Sequence, residues 1–214
     1  MTDTAALDLA SLLCSRLCHD MLSPVGALSN GLELLRDEKD PEMRRRCMGL
    51  LEQSAKASAD KLKFFRLAFG AAGGFGQMVS VSEARELISA LIGDSGRITL
   101  DWKVSREELP KAAVKTLLNL AAMGLEALVR GGTLEVGAEM TGDASEIVIR
   151  AVGPRIAFDQ TIGQALDGSL PPADLSSRTA PAAMIHQLAA STGGGVQWHH
   201  GEDALVMGAV LPHG

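Results

Sequence analysis

The 214-residue sequence contains no tyrosine, and aromatic residues of all kinds make up only 3% of it. Its core must therefore be aliphatic and alanine-rich, drawn from a hydrophobic content of 46%. Cysteine is scarce as well. Cys14, Cys18 and Cys47 make no disulfide framework. Cys14 and Cys18, four apart on one helix, read as small inward-facing core residues. A metal set of these two with His19 is excluded, because the histidine projects about 100° away from its neighbour on a helix. No cofactor and no metal are expected on this chain. Positive charge is also short: 20 Lys and Arg face 26 Asp and Glu, for a net charge of −6. No segment gathers enough cations to track a phosphate backbone, which argues against a nucleic-acid partner. No apolar run approaches the roughly 20 residues of a membrane span. The start, Met1-Thr2-Asp3-Thr4, is acidic and unlike a secretory signal. A cytoplasmic protein without a membrane partner is expected.

What the sequence does have is one long amphipathic helix from Asp8 to about Arg36. Leu7, Ala10, Cys14, Leu17, Met21, Val25, Leu28, Leu32 and Leu35 fall on a single stripe at helical spacing. His19 points roughly the other way, among Leu12, Ser15, Arg16, Ser23, Gly26 and Asn30. Asp20 can lie beside the imidazole and orient one ring nitrogen, leaving the other free as a nucleophile. Pro24 removes the amide that would bond back to Asp20 and predicts a bend one turn past the histidine. Small residues around His19 leave room for a partner.

His-Asp-x-x-x-Pro on a long helix, followed by a second helix, resembles the phosphoacceptor box of two-component histidine kinases. The fuller string from Leu13 through His19-Asp20 to Ser23-Pro24-Val25-Gly26-Ala27, with Asn30-Gly31-Leu32-Glu33-Leu34, is more specific. It closely resembles the ChpT-type histidine phosphotransferases of alphaproteobacterial cell-cycle phosphorelays. The resemblance implies phosphoryl relay through His19 and ring orientation by Asp20. It further implies a receiver domain of a hybrid histidine kinase as donor and response-regulator receiver domains as acceptors. Magnesium is expected on the receiver. The helical wheel gives Leu12, Ser15, Arg16, Leu22, Ser23, Gly26 and Asn30 as the receiver-docking face.

After Arg36, Asp40 is a plausible N-cap and Pro41 a first-turn residue for a second helix running to about Phe69. The short connection predicts antiparallel neighbours, with Ser58 at the level of His19. The small residues Ser54 to Ala59 fit either close helix packing or clearance for a partner. Two helices cannot enclose a core alone, so a homodimer with a four-helix bundle is expected. Residues 1–70 make this hairpin domain and residues 71–78, rich in glycine, a linker.

Residues 79–214 alternate helices and strands: helices over 82–92, 110–130 and 180–191, strands over 97–104, 133–140, 146–152, 196–199 and 204–211. The fold class is α+β, a helical hairpin followed by an α/β sandwich with one layer of each. The order resembles the ATP-binding domain of histidine kinases in degenerate form. Where those kinases carry their magnesium-binding asparagine, Asn119-Leu120-Ala121-Ala122-Met123 ends in methionine, which offers no hard oxygen. Their adenine-reading aspartate is replaced in Ala151-Val152-Gly153-Pro154-Arg155, and the phosphate-cradling glycines are lost in Thr179-Ala180-Pro181-Ala182. Pro181 also removes a phosphate-binding amide. These departures predict a pseudo-ATPase domain, with added receiver contacts near Arg155. A dimeric scaffold in which His19 is incidental, or an ATP-dependent kinase, are the competing readings.

Overall fold

The computed structural model describes residues 3–70 and 78–213. Helix α1 (Asp3–Asp37) and helix α2 (Pro41–Ala68) form the hairpin. The Asp40 carboxylate accepts from the Glu42 amide at 3.2 Å with Pro41 in the first turn, so the sequence signal for this start was sound. Arg44 then reaches back, donating to the carbonyls of Leu35 at 3.1 Å and Glu38 at 2.9 Å. It thereby satisfies acceptors that the end of α1 leaves unpaired. Gly31 lets the helices approach closely: a Cβ there would lie 2.8 Å from a Leu51 methyl. Ser58 is buried, its hydroxyl donating to Ser54 O, so at that position the small side chain serves helix packing.

The expected linker over 71–78 lies outside the described residues except for Met78, which opens β1 (Met78–Ser80). There follow α3 (Val81–Ile92), β2 (Ile98–Trp102), β3 (Glu108–Pro110), α4 (Lys111–Ala127), β4 (Gly132–Thr141) and β5 (Ala144–Val152). The chain continues through α5 (Gln160–Asp167), a 3-10 turn at Pro172–Asp174, α6 (Ala180–Ser191), β6 (Gly195–His200) and β7 (Ala204–Pro212). Five strands form one sheet in the order β2-β4-β5-β7-β6, with β2 parallel to β4 and every other pair antiparallel. β4 and β5 join through a tight turn at Gly142-Asp143, where Gly142 has φ 59°. Among the described residues β1 and β3 pair only with each other.

One sheet face is apolar by strict alternation. Leu134, Val136 and Ala138 on β4 stand beside Ile147, Ile149 and Ala151 on β5, and Leu205, Met207 and Ala209 on β7. Helix α4 covers them with Val114, Leu117, Leu118 and Ala121, all fully buried. Gly124 draws it close, since a Cβ there would meet Leu134 at 2.8 Å. The core runs on without a break into the hairpin, where Leu9, Phe64, Phe65, Leu67 and Ala68 belong to the same cluster.

Two expectations about α1 are corrected by this packing. Leu12, Leu13, Leu17 and Met21 are partly buried against the core, so the flank that carries Leu12 lies on the protein and not on its outside. Cys14 and Cys18 are exposed, as are Leu7, Val25 and Leu32, whereas Cys47 is buried. The stripe drawn from the wheel is thus split. The sandwich takes one flank of α1 and α2 packs on another, while Leu7, Val25 and Leu32 stay open in the single chain.

Candidate phosphoacceptor site

His19 sits near the middle of α1 with 81% of its side chain exposed. Its Nδ1 lies 3.1 Å from Asp20 Oδ1. An ionised carboxylate only accepts, so this contact places the ring proton on Nδ1 and leaves the Nε2 lone pair facing solvent. That is the arrangement a nucleophilic imidazole requires.

Asp20 is fixed in turn. Its other oxygen, Oδ2, accepts from Arg16 Nε at 2.7 Å, and Arg16 Nη2 also bonds Glu126 Oε1 on α4. Burial opposes ionisation of Asp20. Hydrogen bonds from Arg16 and His19, with the charges of Arg16 and Lys61, outweigh it and hold the carboxyl below its usual range. Burial likewise disfavours the Arg16 cation, but Glu126 and Asp20 more than compensate, and its pKa is raised.

Pro24 lies inside α1, which continues helical to Asp37. Having no amide, it cannot donate to the carbonyl of Asp20 four residues earlier. Lys61 of α2 supplies the donor, its ammonium 2.9 Å from Asp20 O. The antiparallel count placed Ser58 at this level; the residue that reaches the site is Lys61, one turn further on.

The remaining expected site residues divide. Ser15, Leu22, Ser23 and Asn30 are exposed, Leu22 at 70%. Gly26 has nothing within 4 Å of where a Cβ would stand. Arg16 departs from the expected docking face: only 19% of its side chain is exposed, and it is engaged with Asp20 and Glu126. The wheel could not show this, because the opposing wall belongs to a helix 110 residues away in sequence. Pro24 is buried.

Of the residues compared above with kinase motifs, Met123, Ala151 and Pro181 are buried. Met123 and Pro181 line a cleft of about 340 Å³ beside the network, together with Phe65, Phe69 and Asn119. The Asn119 carboxamide donates to Ala68 O at 3.2 Å and to Lys115 O at 2.8 Å, tying α4 to the end of α2. Ala151 is fully buried in β5. At the start of α6, the Ala180 amide bonds Ser176 O and Pro181 has none to offer. Arg155 is exposed in the loop after β5. His186 bonds Leu166 O at 3.1 Å, joining α6 to α5. Among the described residues no group of three or more His, Cys, Asp or Glu could hold a metal ion, and no helix is long and apolar enough to cross a membrane.

Comparisons with known proteins identify the family. Residues 81–204 match the family described as the histidine phosphotransferase C-terminal domain. The protein phosphotransferase ChpT of Brucella abortus (strain 2308) is 33% identical over 205 residues, which is 96% of each chain. The solved structure of a bacterial phosphotransferase superposes with a TM-score of 0.82 at 32% identity, over 95% of this chain and 96% of that one. A domain family covering most of the sandwich and a relative one-third identical from end to end lead to one conclusion: this chain belongs to the ChpT-like histidine phosphotransferases.

Proposed function

We propose that His19 is the phosphoacceptor of a two-component phosphorelay, and that this chain passes phosphoryl groups between aspartates of receiver domains without using ATP. One observation carries the reading. An exposed imidazole has its Nδ1 committed to Asp20 and its Nε2 open to an approaching partner. Nε2 attacks the aspartyl phosphate of a donor receiver; the new N–P bond forms as the P–O bond to that aspartate breaks. The ring becomes a cation as it is phosphorylated, and the Asp20 carboxylate on Nδ1–H stabilises that charge. A second receiver then docks, and its aspartate takes the phosphoryl group as the N–P bond breaks. Magnesium belongs to the receiver, whose acidic pocket does most of the charge stabilisation. This chain supplies a positioned nucleophile and a docking face.

That face comprises Ser15, Leu22, Ser23, Gly26 and Asn30, grouped along the exposed side of α1 around His19. The donor is the receiver domain of a hybrid histidine kinase and the acceptors are cell-cycle response regulators, in the cytoplasm. The hairpin of residues 1–70 is the dimerisation and phosphotransfer domain, and residues 79–214 are a pseudo-ATPase domain. Exposed Leu7, Val25, Leu32 and Leu62 on the hairpin support a four-helix bundle with a second copy. Met123, buried Ala151 and Pro181 support loss of nucleotide chemistry.

The test is incubation of the purified chain with a phosphorylated receiver domain and no ATP, followed by assay for acid-labile, base-stable label. Label is expected on the wild type and absent from His19→Ala. Label that persists in His19→Ala, or that arises only with ATP and magnesium, overturns the proposal.

A further inference from the structure

We infer that Glu126, acting through Arg16, is a positioning residue for the phosphoacceptor histidine; the inference rests on the relay reading above. Four side chains form a single file across the junction of the hairpin and the sandwich: His19, Asp20, Arg16 and Glu126. The two oxygens of Asp20 are divided between two tasks, Oδ1 on His19 Nδ1 and Oδ2 on Arg16 Nε. A carboxylate beside an exposed imidazole is free to turn unless its other oxygen is held. Arg16 holds it, provided the guanidinium itself stays in place.

On α1 alone nothing ensures that. A long cation paired with a carboxylate four residues on loses side-chain entropy for a modest gain. Glu126 changes the balance, because it engages Nη2 from a second helix, α4, while Nε faces Asp20. The guanidinium is planar with its donors in a fixed fork, so holding Nη2 fixes where Nε points. Arg16 is also largely shielded from water, which strengthens its contact with Asp20. Lys61, the remaining cation beside Asp20, is bonded to the backbone oxygen of that residue and leaves the carboxylate to Arg16. The sandwich thereby sets which tautomer His19 adopts and how its ring is aimed, a role unrelated to nucleotide binding.

The alternative is that Glu126 merely fastens the hairpin to the sandwich. The full-length Glu126→Gln variant separates the two through nitrogen-15 NMR of the His19 ring and single-turnover transfer from a phosphorylated receiver. The wild type is expected to show the proton mainly on Nδ1. In Glu126→Gln the ring should move toward a mixture of tautomers, with transfer slowed roughly 5- to 20-fold and receiver affinity unchanged. In an Asp20→Asn background the Glu126 change should add little, since both act along one path. A lowered melting temperature with wild-type tautomer and wild-type transfer rate would overturn the inference. So would an equal slowing in the Asp20→Asn background. The ring spectrum does not depend on phosphoryl transfer, so failure of the relay reading, shown by His19→Ala still taking label, is distinguishable from failure of this one.

Discussion

The Lys61 ammonium donates to the carbonyl oxygen of Asp20 across the hairpin at 2.9 Å, in the place of the amide that Pro24 lacks. A proline in a helix interior ordinarily leaves such an oxygen to water. Here the opposing helix provides for it, and the cation that does so also adds positive potential at the carboxylate beside His19. Lys61→Met should cost about 1–2 kcal/mol by leaving a part-buried acceptor unpaired. In a Pro24→Ala background a helical amide is restored, and the same change should cost only a fraction of that. Denaturant unfolding of the four proteins in the cycle measures the difference.

Asn119 gives a second test, of architecture alone. Both of its visible bonds are donations, to Ala68 O and Lys115 O, so the side chain is needed as a donor. Asn119→Asp would place an acceptor-only carboxylate against two carbonyls and should destabilise the fold by roughly 3–5 kcal/mol. Protonation restores one donor, so the deficit relative to wild type should shrink in mild acid. Thermal melts of both proteins between neutral pH and pH 5 would show this.

The sign of the acid response of Asp20 follows from its depressed pKa. The group ordinarily titrates near 3.8 and does so lower in the folded protein, so the unfolded chain takes up the proton first. Its contribution to stability is present above the ordinary value and lost as pH falls below it through the folded value. Wild type should therefore lose stability faster than Asp20→Asn below about pH 4, with the two curves parallel at neutral pH. Parallel curves throughout the acid range would mean that the Arg16 pairing does not persist in solution.

Much of this was legible in the sequence, for reasons that can be named. The Asp40-Pro41 start and the helix at Ala180–Ser191 rest on local chemistry or on periodic patterns, and both stand where that chemistry put them. Helix α5 was missed because it spans only eight residues and carries Gly163 in its middle. Its stability comes from outside: the indole of Trp198 lies flat enough against that glycine that a Cβ would meet it at 2.3 Å. A local signal did exist, in the Asp159 cap bonded to the Thr161 amide and in left-handed Gly168 just past the end. β1 and β3 are three residues each, too short to carry a readable pattern, and are held by pairing with each other and by Val79 and Leu109 in the core. The contact of Asp20 with the His19 ring was readable from adjacency. Arg16 and Leu12 were misplaced because a wheel describes one helix and not the wall that another helix builds beside it.

The open flank of the hairpin makes the quaternary prediction concrete. Val25 and Leu32 are large apolar residues exposed on α1. Val25→Glu with Leu32→Glu should convert a dimer to a monomer in sedimentation equilibrium while leaving the circular dichroism of the sandwich in place. A wild-type protein that sediments as a monomer at micromolar concentration would end the four-helix-bundle reading.

The shared core that binds Leu9 and Phe65 to the sandwich grades the hairpin along its length. Its base is clamped, whereas the far end near Leu34, Met43 and Met48 carries exposed side chains and the connecting turn. His19 stands 10 residues beyond Leu9, about 15 Å of helix, and closer to the clamp than to the turn. Opening of the free end can then proceed as a local event, with fast amide exchange there and slow exchange around the histidine. On the proposed relay, a receiver arriving at a chain with a breathing tip would still find His19 in register.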